Sequence, residues 1–216
     1  MRQINDEEAV MDTNNGLRSK AGTNYFTEKE ERMLFSFLKN RKDKQAERDY
    51  MLLKLCRSTG LRRGEALALN VGDILGKDRI TINERIAEKG AIGEVYLPVD
   101  VQDMVKRFMR FKRDWHESLE DDAPLFISRK GGRLSLRSFN DIMDKWCGLS
   151  GVPRYTPHAL RHTKAQRIMS DVRYLSDDER KKALLFANRQ LRHKSLNSTM
   201  VYTQPTKEEM QKVAGI

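Results

Sequence analysis

The chain has 216 residues, of which 38% are hydrophobic and 33% charged, with a formal net charge of +10. No apolar run approaches the ~20 residues that a bilayer-spanning helix needs, and two cysteines are too few for a disulfide framework, so a membrane protein and a cystine-rich scaffold are both excluded. The excess of positive charge favours a polyanionic partner, most often nucleic acid.

The start, MRQINDEEAV, lacks the apolar stretch of a secretory signal. Residues 1–23 read as a polar tail, with "DTNNG" and "KAGTN" as turn signals. The pattern changes at Thr27. Thr27-Glu28-Lys29-Glu30 has the form of a capping box and precedes Met33, Leu34, Phe37 and Leu38 at helical spacing. A second helix is expected to carry Tyr50, Leu52, Leu53, Leu55 and Cys56 and to stop at "STG". Cys56 and Cys147 lie in apolar-periodic segments and read as buried, reduced thiols.

The middle of the chain is β-rich. "RITI" (79–82) and "EVYLPV" (94–99) predict an antiparallel hairpin around a loop containing "EKGAIG", with a third strand near Val71–Leu75. Helices are expected again from about Asp100 to His116 and from about Ser135 to Leu149. Thr156-Pro157 is a helix start, with Thr as N-cap and Pro at the first helical position. Ser176-Asp177-Asp178-Glu179 is a further capping box, opening a helix through Ala183 and Leu184 towards Leu191. The expectation is an α+β, mainly α-helical fold with a small antiparallel sheet.

Three stretches carry candidate chemistry. In "PHALRHT", a helix would put His158, Arg161 and His162 on one face. Two histidines four apart suit zinc, but the Glu of a zinc protease is missing and a fixed Arg would repel the cation. The same face suits an anion better, because guanidinium grips phosphate oxygens in a fork. In "TGLRRGEALAL" (59–69), Gly60 permits a tight turn and Arg62 stands near the start of a short helix, where an anion would be favoured. Glu65, one turn on, could hold an Arg in place. The third stretch, "LRHKSLNSTMVYT" (191–203), holds His193 and, nine residues later, Tyr202. By itself Tyr202 is as readily a surface or core aromatic as a nucleophile. Between Tyr155 and Ile216, Lys and Arg outnumber Asp and Glu two to one.

Taken together and in this order, the three stretches resemble the tyrosine recombinase (phage integrase) family, over about Tyr25 to Thr203. The resemblance implies a catalytic domain over 24–203 and a tail helix over 204–216. It implies that Arg62 and Arg161 clamp the scissile phosphate, that His158 and His193 are the active-site histidines, and that Tyr202 is the nucleophile. The family also uses a lysine in a β-hairpin turn; Lys89 stands in the corresponding place, and Lys77 is a rival. The implied activity is cleavage and rejoining of double-stranded DNA through a 3′-phosphotyrosyl link, in integration, excision or inversion of DNA. No cofactor and no metal is implied. The expected assembly is a homo-tetramer on two DNA sites, with a monomer possible without DNA. The expected setting is the cytoplasm of a prokaryote, encoded by a phage or other mobile element. The rival readings are a non-enzymatic basic DNA-binding protein and a topoisomerase-like enzyme with the same chemistry.

The chain departs from the family pattern in three places. Relatives usually have Leu-Gly-His where Leu191-Arg192-His193 stands, which implies a locally different turn. The interval from His158 to His193 is long, read as an extended helix-loop-helix away from the chemistry. Residues 1–23 are too short for the additional N-terminal domain that many relatives use to clamp DNA, so a single-domain recombinase or a catalytic fragment is expected.

Overall fold

The computed structural model describes residues 24–88, 90–172 and 176–192. The first helix, α1 (Glu28–Lys39), starts where the capping box places it. The Thr27 hydroxyl accepts the Glu30 N–H at 3.3 Å, and the Glu30 carboxylate accepts the Thr27 N–H at 2.9 Å. Helix α2 (Lys44–Thr59) is capped by Asp43, which accepts the Ala46 N–H at 2.9 Å. Met51, Leu52, Leu53, Leu55 and Cys56 are all buried. Apolar residues so nearly consecutive point in several directions around a helix, so α2 needs neighbours on several sides. It packs against α1, against α3 (Arg63–Ala68), against α4 (Val99–Asp114) and against α6 (Pro157–Val172).

α2 ends at Gly60, whose φ of 76° is left-handed. Glycine adopts this conformation without steric cost, which makes it the usual residue just past a helix end. A Cβ here would lie 2.6 Å from the Leu191 Cδ2, so the site also demands the absence of a side chain.

Strands β1 (Arg79–Ile82) and β2 (Gly93–Tyr96) form the expected antiparallel hairpin, with Ile80 opposite Val95. Ile80, Ile82 and Val95 are buried. The third strand expected near Val71–Leu75 is not there. Val71–Asp73 is a 3-10 turn instead, because the Asp73 carboxylate draws in the Asn70 N–H at 2.7 Å and curls the chain. The free backbone groups then pair with the segment before α5 (Leu136–Ser150): Val71 N–H donates to the Ala123 carbonyl and Gly72 N–H to that of Asp121.

Two buried polar side chains, Asp49 and Lys112, tie these helices together, and both are hydrogen-bonded, as burial of such groups favours. Asp49 on α2 takes the Trp146 indole N–H of α5 at 2.8 Å while pairing with Arg48. Lys112 on α4 is fully buried, holding Glu117 at 2.8 Å and the carbonyls of Pro124 and Leu125. Cys56 and Cys147 are buried free thiols, as expected, and burial raises the pKa of both.

α6 begins at Pro157, and α7 (Asp177–Leu191) begins at the Ser176 capping box. α7 packs on α6 and β2. The long interval thus carries most of α6 and all of α7; residues 173–175 between them lie outside the described residues. Near the end of the interval, Gln190 accepts the Tyr96 N–H at 3.1 Å and donates to the Thr59 and Tyr96 carbonyls. The segment therefore ends against α2 and the sheet instead of lying apart. Among the described residues, no helix is long and apolar enough to cross a membrane.

Candidate functional site

Arg62 stands in extended conformation just before α3. Its N–H donates to the Glu65 Oε2 at 2.8 Å, and its Nη1 donates to the Oε1 of the same carboxylate at 2.9 Å. The remaining Nη2 reaches the carbonyl of Arg192, at 3.3 Å. Glu65 is fully buried, and the sequence expectation that it would hold an Arg is met twice over, because Arg192 Nη2 also donates to its Oε2. Burial alone would raise the Glu65 pKa. The charge and hydrogen bond of Arg192, with the bonds from Arg62, outweigh burial and hold the carboxyl below its ordinary range.

Arg161 arrives from α6. It is 4% exposed, and its guanidinium donates to the Gly60 carbonyl at 2.5 Å and to that of Leu191. Two arginines almost a hundred residues apart thus bond to the consecutive carbonyls of Leu191 and Arg192. The intervening structure explains how. Gly60 turns the chain sharply out of α2 and sets Arg62 at the head of α3, and α6 lies alongside α2.

Arg192 itself has φ 50° and ψ 49°. This is the left-handed region that glycine favours. An arginine here adopts the conformation that glycine takes most readily. Its stem runs over β2, since a Cβ on Gly93 would lie 3.1 Å from the Arg192 Cδ, and its Nε donates to the Ala91 carbonyl at 3.2 Å. Burial pulls this guanidinium below its ordinary pKa; Glu65 opposes the shift and the nearby Arg62 charge adds to it.

His158 is exposed on the first turn of α6, and its ring meets that of His162 edge-on, with centroids 4.4 Å apart. Burial depresses the His162 pKa to about 4, with the His158 and Arg161 charges adding to the effect. Among the described residues, no three His, Cys, Asp or Glu side chains gather as metal ligands would.

Of the six residues singled out by sequence, Arg62 and Arg161 come together at the Leu191–Arg192 turn, and His158 lies one helical turn before Arg161. Lys89, His193 and Tyr202 lie outside the described residues, as does the 206–216 tail. Glu88, the residue before Lys89, accepts the Gly64 N–H on α3 at 3.0 Å. Lys77, the rival, is exposed in the turn before β1.

A family model described as the phage integrase family matches residues 24–209. The chain belongs to the phage integrase family. Among similar members, the tyrosine recombinase XerC of Shewanella amazonensis is 34% identical over 172 residues, 79% of this chain and 53% of that protein. The XerC of Corynebacterium efficiens is 27% identical over 168 residues, 76% of this chain and 48% of that protein. The chain thus spans about half the length of the curated relatives it matches. Among solved structures, the XerH site-specific recombinase bound to difH substrate aligns over 90% of this chain and 54% of its own, with TM-score 0.66 and 22% identity. The catalytic domain of bacteriophage HP1 integrase aligns over 88% and 93%, with TM-score 0.52 and 18% identity. The fold is that of the catalytic domains of integrases and recombinases.

Proposed function

We propose that this chain is a site-specific DNA recombinase that cuts and rejoins double-stranded DNA through a covalent 3′-phosphotyrosyl link. The observation that carries this reading is the convergence of Arg62 and Arg161 on the carbonyls of Leu191 and Arg192, next to His193 in the chain. A phosphodiester undergoing attack gathers charge on its non-bridging oxygens. Two guanidiniums fixed in advance stabilise that state more than the ground state. In this reading Arg62 and Arg161 clamp the phosphate, and His193 donates a hydrogen bond to a non-bridging oxygen. Tyr202 attacks phosphorus. Its hydroxyl, with an ordinary pKa of about 10, gives its proton to His158. Lys89 protonates the departing 5′ oxygen. The phosphotyrosyl link conserves the energy of the broken bond, so a 5′ hydroxyl of a second strand reverses the reaction and reseals DNA.

The net charge of +10 fits a DNA partner. The assembly belongs to the same proposal: four protomers on two DNA sites, arranged head to tail so that the contacts close into a ring.

The test is covalent capture. The protein is incubated with a nicked suicide duplex built on the site that it selects from a random-sequence DNA pool, and adducts are resolved on a denaturing gel. Wild type should form an adduct, and Tyr202→Phe should bind the duplex without forming one. An adduct of normal yield from Tyr202→Phe would remove Tyr202 from its role, and DNA binding without any wild-type adduct would favour a non-enzymatic DNA-binding protein.

A further inference from the structure

The recombinase reading gives Arg192 no task, yet it is the most unusual residue at the site. Its side chain is 4% exposed and it has a left-handed backbone. Placing an L-residue there carries a steric cost that glycine would not incur. Burying the guanidinium adds a desolvation cost. Among the described residues its Nη1 has no hydrogen-bond partner. A side chain that served only to complete the turn would be better replaced by glycine.

Its bonds point to a specific task. Glu65 has two carboxylate oxygens, and Arg62 would occupy both if left alone, one from Nη1 and one from its backbone N–H. One guanidinium against one buried carboxylate is a neutral pair, drawn tightly together in a medium of low polarity. Arg192 changes the balance. Its Nη2 binds Oε2, so two guanidiniums share one carboxylate and the group keeps a net positive charge. Its carbonyl meanwhile accepts from Arg62 Nη2, setting the plane of that guanidinium from the opposite side.

We propose that Arg192 is a positioning residue for the phosphate site: it takes up part of the Glu65 charge and fixes Arg62, leaving Arg62 oriented and cationic for the scissile phosphate. This rests on the recombinase reading above and goes beyond it, since that reading gives Arg192 no part.

Three replacements separate charge, length and backbone. Arg192→Gly relieves the left-handed backbone and removes the charge. Arg192→Met keeps a long stem without charge. Arg192→Lys keeps the stem and the charge. Each is measured with the suicide duplex for adduct rate at saturating DNA, for DNA affinity and for melting temperature. The glycine and methionine variants should lose ~10²-fold in adduct rate, the scale of a misplaced catalytic group, with affinity changed by no more than a few-fold. Arg192→Lys should retain most of the rate. Wild-type rate in Arg192→Gly would overturn the proposal, as would equal rates in the methionine and lysine variants, which would assign the effect to bulk. If the glycine variant does not fold, the methionine and lysine pair decides. Absence of any adduct from wild type would instead remove the recombinase reading, and this proposal with it.

Discussion

His162 illustrates how one buried ring ties stability to pH. Its folded pKa of about 4 lies below the ordinary 6.5, because burial disfavours the charged ring and His158 and Arg161 repel it. The unfolded chain therefore binds more protons between those values, and stability rises with pH across that window. The His162 contribution is complete above pH 6.5 and is lost progressively as pH falls towards 4. Glu65 has the same sign at lower pH, since its depressed pKa keeps its contribution until the medium drops below the ordinary carboxylate range. Urea midpoints measured from pH 7 to pH 4 should fall for wild type and fall less for His162→Gln; parallel curves would mean that the ring does not titrate this way. Much at this scale was legible in advance. Arg62, Glu65 and Arg161 stand in short motifs that singly read as ordinary helix faces and only in combination resemble the family's site, while the Glu65 hold on an Arg was read directly. Arg192 was visible only as a missing glycine, because its partner, Glu65, is 127 residues away and no local pattern connects them.

At the scale of elements, the ends were legible where a side chain bonds its own backbone. Thr27 and Ser176 open capping boxes at the helices they precede, as their spacing announces, whereas the caps that Asp43 and Ser135 provide carry no such pattern. The RITI strand was legible because its alternation matches one buried face. The 3-10 turn at Val71–Asp73 was not, because its apolar residues fit a strand equally well, and the Asp73 carboxylate that curls the chain onto Asn70 went unread. Two helix ends offer a controlled comparison. Gly60 and Gly151 both close helices in left-handed conformation, with φ of 76° and 70°. A Cβ on Gly151 would approach nothing nearer than Met33 Cε at 3.9 Å, whereas on Gly60 it meets Leu191 Cδ2 at 2.6 Å. Gly151→Ala should therefore cost only the backbone term, about 1–2 kcal/mol in urea unfolding. Gly60→Ala should cost more, and should also slow DNA cleavage because Leu191 must move. Equal losses in stability would show that the approach to Leu191 is relieved without strain.

For the whole molecule, the match to family relatives over about half their length makes the assembly the open matter of greatest consequence. "TQPTKEEMQKVAGI" contains a further capping-box pattern at Thr206-Lys207-Glu208-Glu209, outside the described residues. A helix of this length holds in water only when docked, since isolated helices shorter than about 12–15 residues are marginal. Under the tetramer proposal its dock is a neighbouring protomer. Deletion of residues 206–216 should leave binding to one DNA site intact and reduce the pairing of two sites, both read on native gels; unchanged pairing would make the tail an intramolecular element. Binding to one site should also weaken steeply with salt, as counterions compete for the phosphates.

The meeting of Arg62 and Arg161 at Leu191 and Arg192 also sets a timetable. Both arginines leave the ribosome before the turn that gathers them, and Arg62 emerges 130 residues ahead of the carbonyl it will hold. Under the recombinase proposal, a nascent chain halted between Arg161 and Leu191 holds both arginines but not the carbonyls that gather them, so its phosphate grip is unassembled and the order of synthesis keeps unfinished copies from acting on DNA.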